Sequence, residues 1–208
     1  MKLNILLSLF FLSLISSCEK EQTINELYFI GDSHIARWDV ANSFPEYITY
    51  NMGVSGSKLD YIEQYAGYFK GKVVIVIIGT NDFTSANNKF NDYIVRYCNA
   101  LTGLEANYLY VYSIFPNNNI ENTWNVDNKV LLERVNKALK NYIQSNCENI
   151  KYIDVYEDLL FNGLLNPEYY SDGLHLNNNG YELITHKLKK KLMRRIFLII
   201  CILCNCYN

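Results

Sequence analysis

Four short segments carry side chains that could act together in nucleophilic catalysis. Residues 31–34 read Gly-Asp-Ser-His, residues 51–56 Asn-Met-Gly-Val-Ser-Gly, residues 79–82 Gly-Thr-Asn-Asp, and residues 172–176 Asp-Gly-Leu-His-Leu. A serine hydroxyl attacks well only when a base takes its proton; a histidine can be that base, and an aspartate can orient the histidine. The four segments supply these groups together with amide donors for an oxyanion, so they predict a serine hydrolase.

The elements around these segments alternate between strands and helices. Apolar runs predict five strands, at residues 27–30, 47–52, 73–78, 108–114 and 152–155. Apolar positions three and four apart predict helices at residues 59–69, 89–104, 126–143 and 181–193. Such alternation is typical of a parallel sheet with helices on both faces. The first three segments follow the first three strands, and open α/β sheets bind ligands at the carboxyl ends of their strands. We therefore expect the segments to meet there.

The four segments resemble the four blocks of the SGNH, or GDSL-like, hydrolase family, over most of the chain from about Tyr28 to Ile184. The resemblance implies a flavodoxin-like three-layer α/β/α sandwich around a central five-stranded parallel sheet. It also implies ester hydrolysis through an acyl-serine intermediate, without a metal or an organic cofactor. One departure is His34, because the name-giving motif of the family has leucine there.

The resemblance assigns the catalytic triad to Ser33, His175 and Asp172. Spacing supports the last pair, because side chains three residues apart share one face of a helical turn. His34 is the rival base, but it adjoins Ser33 and its side chain is expected to point elsewhere. For the pair Asp172 and His175, the alternative is a capped turn before a helix.

The resemblance places the oxyanion hole at the backbone N–H groups of Ser33 and Gly53 and the side-chain amide of Asn81. Gly53 could instead be a turn glycine, and Asn81 a loop cap. The aromatic side chains of Trp38, Phe83 and Tyr170 lie close to the motifs in sequence. They could stack on a sugar ring or line an acyl pocket; the alternative is that they belong to the core.

The N-terminus predicts export and a lipid anchor. Residues 1–17 join a charged Lys2, an apolar stretch and two small residues, as in a signal peptide. Residues 14–18 resemble a bacterial lipobox, which makes Cys18 the lipidated residue and residues 18–23 a tether. The hydrolase domain then spans 24–193, and 194–208 form an apolar tail with cysteines. These features predict a lipid-anchored protein of the bacterial cell envelope; the alternative is an ordinary secretory signal.

Composition limits the kinds of molecule that the protein is expected to bind. The net charge of −2 gives no basic excess, which argues against nucleic acid. The cysteines at 201, 204 and 206 lack a fourth ligand in sequence, so no metal site is predicted. No long apolar insertion is present that would cover a fatty chain, which favours short acyl groups, such as acetyl on a glycan. The alternatives are a lysophospholipase or thioesterase, and a lipid-anchored glycan-binding protein without activity.

Overall fold

The structure, a computed structural model, describes residues 25–82, 89–118 and 126–205. The predicted signal peptide, Cys18, the tether, the domain start at residue 24 and Phe83 lie outside the described residues. The main sheet has five parallel strands in the order β2-β1-β3-β4-β5. They are β1 Glu26–Gly31, β2 Ile48–Gly53, β3 Val73–Ile77, β4 Tyr108–Tyr112 and β5 Ile150–Ile153. This is the flavodoxin-like strand order, and it confirms the predicted fold class.

Helices cover both faces of this sheet. They are α1 Ser33–Ala36, α2 Val40–Ser43, α3 Leu59–Glu63, α4 Phe90–Gly103, α5 Val126–Asn146 and α6 Asn178–Asn205. Buried side chains of α3, α4 and α5 pack in one core cluster, and those of α1, α2 and α6 pack in the other. A two-stranded antiparallel hairpin, β6 Leu160–Phe161 and β7 Leu164–Leu165, lies outside the main sheet.

The central strands build both core clusters because successive side chains point to opposite faces of a sheet. In β3, Val74 and Val76 face one cluster, while Val73, Ile75 and Ile77 face the other. The continuous apolar run of this strand therefore reflects burial on both faces, as a central parallel strand requires.

Two predicted helices have different lengths in the structure. The helix predicted over residues 59–69 ends at Glu63 and continues as turns, with Gly67 at φ +72°. Helix α6 begins earlier than predicted and runs through residue 193 to Asn205, so the predicted tail boundary does not coincide with a helix end. Within the described residues, none of the helices combines the length and apolar character needed to span a bilayer.

Candidate active site

Ser33 lies at the first position of α1, directly after the carboxyl end of β1. Gly31 ends that strand at φ +154°, and a Cβ there would overlap the carbonyl oxygen of Ile77 on neighbouring β3. Asp32 caps α1, because its Oδ1 accepts a hydrogen bond from the His34 N–H at 2.9 Å. The tight strand end and this cap together set the position of the Ser33 side chain at the edge of the sheet.

The structure brings the three predicted triad residues together. His175 Nε2 lies 3.1 Å from Ser33 Oγ, and His175 Nδ1 lies 2.7 Å from Asp172 Oδ2. Asp172 Oδ1 also accepts the backbone N–H groups of Leu174 at 3.0 Å and of His175 at 2.7 Å. Asp172 thus stabilises the backbone turn and holds the imidazole of His175. The other ring nitrogen of His175, Nε2, therefore faces Ser33.

The electrostatics of Asp172 suit this arrangement. Burial acts to raise the pKa of its carboxyl, but hydrogen bonds from the backbone N–H and ring of His175 outweigh it. The pKa of Asp172 therefore falls to about 2. The carboxylate stays ionised at neutral pH, and an ionised partner favours the imidazole tautomer with its proton on Nδ1.

Gly53 and Asn81 lie at the ends of the strands that flank β1. Gly53 is the last residue of β2 and pairs with Gly31, and Asn81 follows β3 in a short 3₁₀ turn. Both polar groups have internal partners: the Gly53 N–H donates to Asn51 Oδ1 at 3.0 Å, and Asn81 Nδ2 donates to the Ser57 carbonyl at 2.9 Å. The amide of Asn81 keeps a second N–H, whereas the single N–H of Gly53 is engaged.

Gly53 also has a packing role, which the sequence did not indicate. A Cβ at this position would overlap the backbone of Ile35 and Ala36 in α1. Asn51 closes the same contact, because its Nδ2 donates to the carbonyls of Ile35 at 2.8 Å and Trp38 at 3.0 Å. The close approach of β2 therefore holds the helix that carries the serine.

His34 faces the interior and is fully buried. Its ring centroid lies 4.9 Å from that of Phe115 and 5.9 Å from that of His175. Neither ring nitrogen has a hydrogen-bond partner among the described residues. Burial, with smaller contributions from His175 and Arg37, lowers the pKa of His34 to about 3. His34 makes no described contact with Ser33 Oγ, so the geometry favours His175 as its partner.

Two buried carboxyls support the loops beneath the site. Burial raises the pKa of Asp32 to about 7, against the opposing hydrogen bond from the His34 N–H. Burial also raises the pKa of Asp82 to about 6, although its Oδ2 accepts the Leu59 N–H at 3.0 Å. Both carboxyls accept hydrogen bonds from backbone N–H groups, as residues that stabilise turns do.

The predicted substrate contacts of Trp38 and Tyr170 are corrected by the structure. Trp38 is 2% exposed, and its indole N–H donates to Ser43 Oγ at 3.1 Å. Tyr170 is 8% exposed, and its hydroxyl donates to the Pro116 carbonyl at 2.6 Å. Both rings belong to the core cluster that packs under α6. Their side chains point inward because the apolar ring gains more from burial than from contact with water.

An open cleft of about 580 Å³ is lined in part by Ser171 and Leu176, the sequence neighbours of Asp172 and His175. Its walls are mainly polar and consist of Arg37, Ser171, Leu176, Asn177, Asn178, Asn179 and Tyr181. Arg37 is half exposed, and its Nη1 lies 3.9 Å from Asp172 Oδ2. Arg37 was not predicted from the sequence; the available signal was its position four residues after Ser33. No cluster of three or more His, Cys, Asp or Glu that could bind a metal occurs among the described residues.

The fold defines an α/β protein with a five-stranded parallel sheet, and the amino-acid sequence places this protein in a family. Residues 29–183 match the GDSL-like lipase/acylhydrolase family, and the chain belongs to that family. The name of this family refers to lipases and acylhydrolases, which are enzymes that cleave ester-type bonds.

Three individual proteins are similar to this chain at sequence identities between 16% and 27%. An N-acylneuraminate cytidylyltransferase of Escherichia coli is 27% identical over 176 residues, which are 80% of this chain and 40% of that protein. This chain therefore spans well under half the length of that relative. A GDSL-like lipase from Bacteroides thetaiotaomicron has a TM-score of 0.64 at 17% identity, covering 90% and 97% of the two chains. An acetyl xylan esterase from Geobacillus stearothermophilus has a TM-score of 0.62 at 16% identity, covering 80% and 93%. These structures agree with the fold.

Proposed function

We propose that this protein is a serine esterase in which Ser33 is the nucleophile, His175 the general base and Asp172 the residue that orients it. The contact that carries the proposal is the 3.1 Å approach of His175 Nε2 to Ser33 Oγ, between residues 142 positions apart in sequence. A chance contact would not also place a carboxylate 2.7 Å from the other ring nitrogen. This arrangement is the geometry of an activated nucleophile.

Acylation follows from the hydrogen bonds of the triad. Ser33 Oγ attacks the ester carbonyl carbon while His175 Nε2 takes the hydroxyl proton, and the carbonyl oxygen becomes an oxyanion. Asp172 stabilises the imidazolium without taking its proton. When the tetrahedral intermediate collapses, the bond to the alcohol oxygen breaks, and His175 returns the proton to that oxygen. The alcohol leaves, and the acyl group remains on Ser33.

Deacylation repeats these steps with water. His175 removes a proton from a water molecule, the resulting nucleophile attacks the acyl carbon, and Ser33 Oγ leaves with the proton from the imidazolium. The products are the free acid and the regenerated serine. Every proton transfer in both halves passes through the same ring nitrogen.

The oxyanion needs donors that are already in place, and we assign this role to the N–H groups of Ser33 and Gly53 and the amide of Asn81. All three groups sit at the carboxyl ends of adjacent strands. The Asn81 amide supports the assignment best, because it keeps one N–H while the other anchors the side chain on Ser57. The Gly53 N–H has to share its proton between Asn51 Oδ1 and the oxyanion.

We propose short acyl groups on a carbohydrate as the substrate class. The cleft beside the triad is lined mainly by amide, hydroxyl and guanidinium groups, which suit a hydroxylated alcohol more than a fatty chain. The names of two similar proteins support the same substrate class, since one is an acetyl xylan esterase and the name of the other refers to the sugar N-acylneuraminate.

Hydrolysis of p-nitrophenyl esters tests the reaction and the acyl preference together. We expect the acetyl ester to be cleaved with a higher kcat/KM than the butyryl and octanoyl esters, and Ser33→Ala to lose turnover. Ser145→Ala, an exposed serine at the C-terminal end of α5, is the matched control. A preference for octanoyl would indicate a lipase-type substrate. A wild-type protein that binds acetylated glycan without cleaving any ester would indicate a binding protein.

We also propose that the protein is exported and anchored to the bacterial envelope through Cys18. The proposal rests on the sequence of residues 1–23, with its apolar stretch followed by small residues and a cysteine. Lipid chains would hold the hydrolase on a membrane, because each buried CH₂ contributes about 0.8 kcal/mol. Mass spectrometry of the mature protein should find an acylated Cys18 at its N-terminus. A free cysteine in an otherwise processed chain would leave a secreted enzyme.

A further inference from the structure

The cleft beside the triad contains one cation, Arg37, and no carboxylate among the residues that line it. Arg37 is tied to the nucleophile by the backbone, because its N–H donates to the Ser33 carbonyl at 3.0 Å. At the end of its side chain, Nη1 lies 3.9 Å from Asp172 Oδ2. A positive charge is therefore held within one helical turn of the serine and close to the aspartate of the triad.

The guanidinium of Arg37 is only weakly engaged within the described part of the protein. Its one ion pair among the described residues is the 3.9 Å approach to Asp172, and both side chains are half exposed. Exposed pairs of this kind contribute about 0–1 kcal/mol. Asp172 is already satisfied by shorter hydrogen bonds from Leu174 and His175. Within the described part of the chain, the guanidinium makes no hydrogen bond, so its donors are available to a ligand.

The neighbours of Arg37 in the cleft favour an anionic, hydroxylated ligand. Ser171 and the asparagines at 177, 178 and 179 bring hydroxyl and amide groups to the same cavity. Amides and hydroxyls suit the hydroxyl groups of a sugar, and the planar guanidinium suits a carboxylate, which it can bind through two parallel hydrogen bonds.

We propose that Arg37 is a specificity-determining residue that binds the carboxylate of an acylated sugar acid, while the ester of the same sugar lies at Ser33. This inference rests on the proposed esterase function and names its substrate class more narrowly. Arg37 acts here on the bound substrate and takes no part in proton transfer.

A matched pair of substrates tests the proposal: O-acetylated galacturonic acid and its uncharged methyl ester, with p-nitrophenyl acetate as a small neutral reference. The variants are Arg37→Gln, which removes the charge, and Arg37→Lys, which keeps the charge without the planar fork. Lys190→Gln is the control, since it makes the same change in net charge at an exposed position of α6.

We expect the wild-type protein to prefer the acid over its methyl ester by about 10- to 100-fold in kcat/KM, the range of one charge-assisted hydrogen bond. Arg37→Gln should abolish this preference, mainly through KM, and should reduce kcat/KM for the acid by a larger factor than kcat/KM for p-nitrophenyl acetate. Arg37→Lys should keep part of it, and added salt should reduce it. Lys190→Gln should behave as wild type.

Two results would overturn the proposal. Equal kcat/KM values for the acid and the methyl ester in the wild-type protein would show that no carboxylate is recognised. An equal loss on all three substrates in Arg37→Gln would show that Arg37 acts on Asp172. Failure of the esterase proposal itself looks different, because p-nitrophenyl acetate would then not be hydrolysed or would still be hydrolysed by Ser33→Ala.

Discussion

Substitution of His34 by leucine, the residue that the family motif has there, should make the protein more stable. His34 is fully buried, and its two ring nitrogens have no partner among the described residues. An unsatisfied buried polar group costs about 1–3 kcal/mol. Leucine removes that cost but loses the edge contact with Phe115, worth about 0.5–1.5 kcal/mol. The free energy of unfolding should therefore rise by about 1 kcal/mol at pH 7, which corresponds to about 2–4 °C in Tm.

The difference between the two proteins should grow in acid. The pKa of His34 is about 3 in the folded protein, because burial disfavours the imidazolium, whereas an unfolded histidine titrates near 6.5. The unfolded state therefore takes up this proton first, and wild-type stability falls as the pH drops below about 6.5. Between pH 7 and pH 5 this linkage costs the wild type about 2 kcal/mol, and leucine removes it. The stability gap should thus reach about 3 kcal/mol at pH 5.

Urea unfolding of both proteins at pH 7, 6 and 5 measures this gap. Taking the difference between the two curves cancels the opposite contributions of the raised pKa values of Asp32 and Asp82. His186→Leu, at an exposed position of α6, is the control and should keep the wild-type slope. A gap that stays constant with pH, or a less stable His34→Leu protein, would show that the ring is hydrogen-bonded or charged and refute the reasoning. Esterase activity should survive the substitution, because His175 contacts Ser33.

Three further results are expected. His175→Ala should reduce kcat by several orders of magnitude, because it removes the base that takes the Ser33 proton. Asp172→Asn should cost as much or less, because Asp172, with a pKa of about 2, is ionised at neutral pH and orients the imidazole; kcat values for p-nitrophenyl acetate at pH 7 measure both. Asn81→Ala should lower kcat for p-nitrophenyl acetate by about 10²–10³-fold with little change in KM. An unchanged kcat would show that Asn81 does not belong to the oxyanion hole. Gly53→Ala should lower Tm, because its Cβ would overlap the backbone at Ala36. Thermal unfolding checks this, with Gly103→Ala as the control, since a Cβ at Gly103 meets no atom within 4 Å.

The five strands were accessible from the sequence because each buried strand is an apolar run that ends in a turn, whereas their order in the sheet was not predicted from these runs. The predicted end of each strand lies within two residues of the observed one. Helices α1 and α2 were not predicted, since four residues are too few to show a helical period. The helix predicted over residues 59–69 ends at Glu63. Phe69 lies outside this helix and packs at the end of α4, where the Phe69 N–H donates to the Leu104 carbonyl.

The residues of the candidate site likewise fall into those that the sequence predicts and those whose positions depend on packing. Ser33, Asp172 and His175 were predicted because their types, order and spacing carry the chemistry. Arg37 depends on which side of α1 faces the last segment, and Trp38 depends on which way its ring turns after that helix. Both are properties of packing in three dimensions, and proximity to a motif in sequence does not determine them.

The central claim is that Ser33 is the nucleophile, and a serine-reactive fluorophosphonate tests it most directly. The reagent forms a covalent adduct only with an activated serine, and peptide mass spectrometry locates the adduct. We predict a single adduct on Ser33, formed at the rate at which esterase activity disappears, and neither labelling nor turnover in Ser33→Ala. An adduct on another serine, or full esterase activity in Ser33→Ala, would contradict the account.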